Sequence, residues 1–121
     1  MAKNLGVSLE IVEEPTNEEK FRILAKSKVV VAPSMFEGLG LVPLEAAYFN
    51  TVPVVTKLPA HLETLGENYW FSFNVRDVKT CSKKIMMALQ APHLFTNPVN
   101  YELFHPRAVA KIMDRAIKER L

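Results

Sequence analysis

Several things this sequence lacks narrow its reading before any motif is considered. Its 121 residues leave room for one ordinary core. They include a single cysteine, Cys81, so an internal disulfide and a cysteine zinc cluster are both excluded, and a reducing compartment suits the chain. No run of about 18 apolar residues is present to form a membrane-spanning helix. The opening Met1-Ala-Lys-Asn-Leu-Gly6 holds no apolar signal stretch, and the expected location is the cytoplasm. Neither sign of charge dominates: 15 Lys+Arg against 13 Asp+Glu leave +2, which predicts neither nucleic acid nor an acidic membrane surface as a partner. His61, His93 and His105 show no HxxH or HExxH spacing, so no metal is expected, and each reads as a surface or helix-end residue. With aspartate limited to Asp77 and Asp114, a phosphoacceptor receiver domain is excluded for want of acidic clusters at strand ends. The familiar phosphate fingerprints are missing too. There is no GxxxxGK[ST], and a GxGxxG begun at Gly38 fails because Pro43 stands at its third glycine.

What is present alternates between β and α patterns. Met1 to Leu5 reads as the last turn of a helix closed by Gly6. Val7, Leu9 and Ile11 alternate with polar residues and predict a short strand from Val7 to Val12. Thr16-Asn-Glu-Glu19 has the spacing of a capping box, opening a helix to about Lys26 with Phe21, Leu24 and Ala25 inward. Val29-Val-Val-Ala32 is continuously apolar, as in a strand covered on both faces, and is expected at the centre of a parallel sheet. A helix from Leu41 to Phe49, a strand Val52-Pro-Val-Val55, a short helix Pro59 to Leu65 ended by Gly66, and a strand Trp70 to Phe73 follow. Arg76 to Gln90 carries Val78, Ser82, Ile85 and Leu89 at helical spacing, with Met86 and Met87 as fillers of the core and Arg76, Lys83 and Lys84 on a solvated face. An irregular connection leads to a last helix, Pro106 to Leu121. The order predicts a three-layer α/β domain that binds ligands at the carboxyl ends of its strands.

One segment stands out in that scheme. Ser34-Met-Phe-Glu37-Gly38-Leu39-Gly40-Leu41-Val-Pro-Leu-Glu45-Ala46 joins a buried strand to a helix. The Gly38 to Leu41 amides lack intrahelical partners there and form a natural phosphate cradle. Glu37 precedes the helix and Glu45 lies about one turn inside it, tilted back towards the amino end, so the carboxylates flank the cradle. Each can accept two hydrogen bonds from vicinal hydroxyls, one suiting a sugar and the other a ribose. The same residues also suit a plain tight turn with two glutamates stabilising the helix dipole, and spacing alone leaves both open.

Ala25-Lys-Ser-Lys-Val-Val-Val-Ala-Pro-Ser34, Phe36-Glu-Gly-Leu-Gly-Leu-Val-Pro-Leu-Glu-Ala46 and Val52-Pro-Val-Val55 closely resemble the carboxy-terminal domain of retaining GT-B glycosyltransferases of group one, with Glu37 and Glu45 matching its Glu-x7-Glu motif. The likeness runs from about Val7 to Leu89. It implies hexosyl transfer from a nucleotide-diphosphate sugar, with no metal or other cofactor. Glu37 is then the candidate catalytic residue. Glu37, Gly38, Leu39, Gly40 and Leu41 would take the sugar and diphosphate, and Glu45 the ribose. The family usually has glycine before the Pro-Val-Val strand, where this chain has Asn50 and one extra residue. Asn tolerates the left-handed conformation, so the turn is expected to survive. Glu63 resembles a family position on the next helix but reads as a surface residue.

The resemblance further implies that residues 1–121 form one partial Rossmann-like domain. The family's first two βα units, their diphosphate-neutralising Arg and Lys, and the acceptor domain are not represented. The expected partners are a nucleotide-sugar and either an acceptor-domain chain or a second copy. On this reading the chain is the donor-site portion of an enzyme and inactive alone. The alternative is a non-catalytic α/β module that associates through an open sheet edge.

Overall fold

A computed structural model of the protein describes residues 5–36 and 41–101. Within them lie four α-helices and three parallel strands, in the order α1 (Asn17–Lys26), β1 (Val29–Ala32), α2 (Leu41–Tyr48), β2 (Val52–Thr56), α3 (Pro59–Leu65), β3 (Ser72–Phe73) and α4 (Val78–Gln90), with a 3₁₀ turn at Pro92–Leu94. The fold is α/β, and the described residues 91–101 are irregular apart from short 3₁₀ turns. The expected Pro106 to Leu121 helix and residues 1–4 lie outside the described residues.

Local chemistry explains most boundaries. The Thr16 side chain accepts from the Glu19 amide at 3.1 Å and its hydroxyl donates to the Glu19 carboxylate at 3.1 Å, starting α1 at the predicted capping box. Asn50 adopts φ +60°. Its N–H reaches the Ala47 carbonyl and the Thr51 N–H reaches that of Ala46, both at 3.0 Å. That 5→2 and 6→1 pair is the Schellman closure, with asparagine where glycine is usual. Gly66 closes α3 at φ +103°, a conformation L side chains rarely adopt, and its amide bonds the Leu62 carbonyl. Gly6 is left-handed, at φ +67°, and the helix turn expected before it falls, but for Leu5, on residues outside those described.

The sheet order is β1-β2-β3, with Val29 opposite Val52 and Val55 opposite Ser72. The centre therefore differs from expectation. β2, paired on both sides, is buried throughout, whereas β1 is an edge of the described sheet and its Val31 is exposed. A proline in a central strand also needs explaining. The Val52 amide points to β1, bonding the Lys28 carbonyl, and the Val55 amide points to β3, bonding that of Phe71. Alternation turns position 53 towards β3 below the start of that strand, where no ladder bond is lost. There the Tyr69 hydroxyl donates to the Pro53 carbonyl at 2.5 Å instead.

Hydrophobic clusters cover the two faces. Val52, Val54, Phe71 and Phe73 pack with Ala88 of α4 and with Phe95, while Phe21 and Leu24 of α1 pack with Leu44 and Ala46 of α2. The hydroxyl of buried Thr51 shares its proton between the Leu24 and Ser27 carbonyls, at 2.5 and 3.0 Å, tying the start of β2 to the end of α1.

Four further expectations are corrected. Val7 to Val12 forms no strand, and Val7, Leu9 and Ile11 are exposed. Alternation marks a strand face, but a strand needs a neighbour, and none of the described residues supplies one. β3 begins at Ser72, leaving Trp70 half exposed. α4 begins at Val78, capped by Asp77 accepting from the Thr80 amide at 3.1 Å, and is rotated from the predicted face. Cys81, Ile85 and Ala88 turn inward while Val78, Ser82, Met86 and Leu89 are exposed, so of the two methionines only Met87 packs against the core.

Candidate functional site

α2 carries the described half of the candidate motif. Pro43 sits at its third position, where the missing N–H costs no intrahelical bond. Leu41 and Val42, whose amides are among those a helix leaves unpaired, are exposed at its amino end. Glu37, Gly38, Leu39 and Gly40 lie outside the described residues.

Glu45 is 5% exposed, the one buried carboxylate among the described residues. Lys20 of α1 meets it, with Nζ donating to Oε1 at 3.3 Å and lying 3.0 Å from Oε2. The second approach is an ion pair without hydrogen-bond alignment, so among the described residues Oε2 has no aligned donor. Burial pushes the Glu45 carboxyl above its usual range, and Lys20 opposes that through its hydrogen bond and charge. The expectation of a carboxylate tilted towards a ligand cradle thus gains a partner that the motif does not contain. Lys20 has a legible trace in the sequence: it precedes Phe21 and stands four residues before Leu24, beside the apolar stripe of α1.

The strand ends beside α2 are pinned by polar contacts. The Thr56 hydroxyl donates to the Ser34 carbonyl at 2.7 Å, joining the exits of β1 and β2. His61 is fully buried rather than a surface or helix-end residue, and its Nδ1 lies 2.8 Å from the Thr56 carbonyl. Since a carbonyl only accepts, Nδ1 carries the proton, and among the described residues Nε2 is buried without a partner. The trace here is α3 periodicity, because His61 shares a helical face with Thr64 and Leu65, both buried. Glu63 is exposed, as expected.

A cavity of about 260 Å³ opens at the carboxyl ends of the three strands, lined by Pro33, Met35, Thr56, Phe73, Arg76 and Cys81. In α/β sheets this is the end at which ligands bind. The Cys81 thiol is pushed up by burial and by Asp77, which keeps it a packing residue. Lys84 departs from the simple solvated face expected of it. Its Nζ donates to the Trp70 carbonyl at 2.5 Å and stands 3.4 Å from the Trp70 ring centroid. Its ammonium is pulled below the usual lysine range by burial and by Lys57 and Lys83.

Among the described residues no group of three or more His, Cys, Asp or Glu could hold a metal ion, and no helix is long and apolar enough to cross a membrane. Neither curated proteins nor solved structures give a significant match to the chain. Residues 1–102 match the family described as "Glycosyl transferases group 1". With most of the chain covered by that match, on a parallel α/β scaffold, the protein belongs to the group 1 glycosyl transferases.

Proposed function

We propose that this chain is the donor-binding part of a retaining glycosyl transferase of GT-B architecture, which takes a hexose from a nucleotide-diphosphate sugar without a metal ion. The observation that carries this reading is Glu45. In a group 1 chain, the second glutamate of Glu37-x7-Glu45 stands on the helix that follows β1, and Lys20 accompanies it. Glu45 accepts the ribose hydroxyls. Glu37 contacts the hexose, and the amides of Gly38 to Leu41 take the diphosphate, where the helix dipole and unpaired N–H groups favour negative charge. As the sugar departs, charge grows on the leaving diphosphate, and donors already in place stabilise it without reorganising.

Donor binding is only part of transfer, which also requires an acceptor held against the sugar in a water-poor cleft. The family resemblance assigns the acceptor to a separate domain. The 121-residue chain alone therefore binds donor and transfers no sugar. Calorimetric titration with uridine, guanosine and adenosine diphosphates tests the binding. One of the three binds, and Glu45→Gln weakens it by about 1–3 kcal/mol, the scale of charge-assisted hydrogen bonds. Unchanged affinity with an intact circular dichroism spectrum contradicts the assignment.

A further inference from the structure

The Lys20–Glu45 pair calls for a reason. The Lys20 side chain is 32% exposed against 7% for Glu45, and its Nζ also stands 5.0 Å from the Phe21 ring centroid. Partial burial of two charges costs solvation that their attraction repays only when the remaining lone pairs are satisfied. Here they are not. One ammonium serves both carboxylate oxygens, aligned with Oε1 alone, while a carboxylate has room for about four donors. A pair kept solely for stability would be better replaced by apolar side chains. A pair that keeps one carboxylate charged, fixed and short of donors is suited to a ligand that brings O–H groups of its own.

No other described cation reaches this carboxylate. β1 and β2 consist of Val, Ala, Pro and Thr, so they face α2 with no ionisable group. His61 of α3 spends its proton on the Thr56 carbonyl, and Glu63 of α3 is exposed. On α1, Arg22 pairs with Glu18, Glu19 bonds Thr16 and Lys26 in the last turn is exposed, which leaves Lys20.

We infer that Lys20 is a positioning residue for the ribose end of the donor site: its ammonium holds the Glu45 carboxylate ionised and oriented, so that the oxygen without an aligned donor accepts from a vicinal diol. This rests on the donor-site reading above. Lys20 itself makes no contact with the ligand, and its effect is confined to ligands that carry the diol.

The full-length chain is titrated with a ribonucleoside diphosphate and with its 2′,3′-dideoxy counterpart, for the wild type and for Lys20→Met, Lys20→Arg, Glu45→Gln and the Lys20→Met/Glu45→Gln pair. The wild type prefers the ribonucleotide. Lys20→Met weakens ribonucleotide binding about tenfold, the effect of losing one charge-assisted partner, and leaves the dideoxy ligand unaffected. Lys20→Arg restores the preference, since a guanidinium keeps the positive charge and an N–H donor beside Oε1. The double variant is no worse than Glu45→Gln alone. If Lys20→Met does not fold, Lys20→Gln takes its place, keeping an N–H without the charge.

Loss of affinity for both ligands alike makes Lys20 a structural residue and overturns the inference. Tighter ribonucleotide binding by Lys20→Met overturns it as well, because the ammonium would then be a competitor of the ribose. A diol preference lost in Glu45→Gln but kept in Lys20→Met refutes the inference and leaves the donor-site reading standing. A preference kept in Glu45→Gln, or absent from the wild type, refutes the donor-site reading itself, and the role of Lys20 with it.

Discussion

Glu45 is costly to bury, and that cost has a sign that pH can reveal. Its carboxyl is raised in the folded chain above the ordinary value of 4.5, so over the window from there upward the native state holds a proton that the unfolded chain has lost. Stability contributed by protonated Glu45 is therefore full at the low end of that window and is lost as pH rises through the raised value. A glutamine in its place does not titrate. Urea unfolding across the window is expected to show wild type gaining on Glu45→Gln as pH falls, and parallel profiles would mean that Glu45 is not dehydrated as described. The helix that carries Glu45 is legible in the sequence because its start and stop are written in adjacent residues. Lys20 leaves only a trace beside the apolar stripe of α1, since its relation to Glu45 exists only once α1 lies against α2, 25 residues away. His61 escapes for a related reason: a lone histidine looks like surface until a buried carbonyl claims its proton.

At the scale of elements, the turn after α2 carries a sharp expectation. Asn50 holds φ +60°, which costs an ordinary L residue roughly 1–2 kcal/mol and a β-branched one at least as much. Asn50→Val should destabilise by about that amount, whereas Asn50→Gly should be neutral or mildly stabilising in thermal melts, and equal melting of both would refute the closure. Helix starts, helix stops and apolar runs are legible for α1, β1, α2, β2 and α3 because each is written in adjacent residues. Thr16, Pro43, Asn50 and Gly66 act on their own turn. What escapes depends on neighbours. β1 and β2 are both short apolar runs, and only the pairing of β3 decides which is central. The face of α4 turned inward is set by Asp77 and by the sheet beneath it, and Val78 and Leu89 share its helical period without being buried.

For the molecule as a whole, two surfaces lead to opposite kinds of experiment. β1 pairs with β2 alone among the described residues, and the unpaired Val7 to Val12 segment exposes Val7, Leu9 and Ile11. A strand edge unpaired among the described residues and an exposed run of apolar side chains each invite association, so light scattering over a concentration series should show self-association, and a monomer throughout would count against it. The other surface is the strand carboxyl end, where the donor is proposed to bind. A larger cavity of about 420 Å³, lined by Tyr69, Trp70, Phe71, Leu94 and Phe95, lies before β3, away from that end, and provides a built-in comparison. Amide chemical-shift mapping during titration with a nucleoside diphosphate decides between them. The donor-site account predicts perturbations concentrated at Leu41, Val42 and Glu45 and at Lys20. Shifts confined to the residues around Trp70 and Phe95, or no saturable shifts, would contradict it.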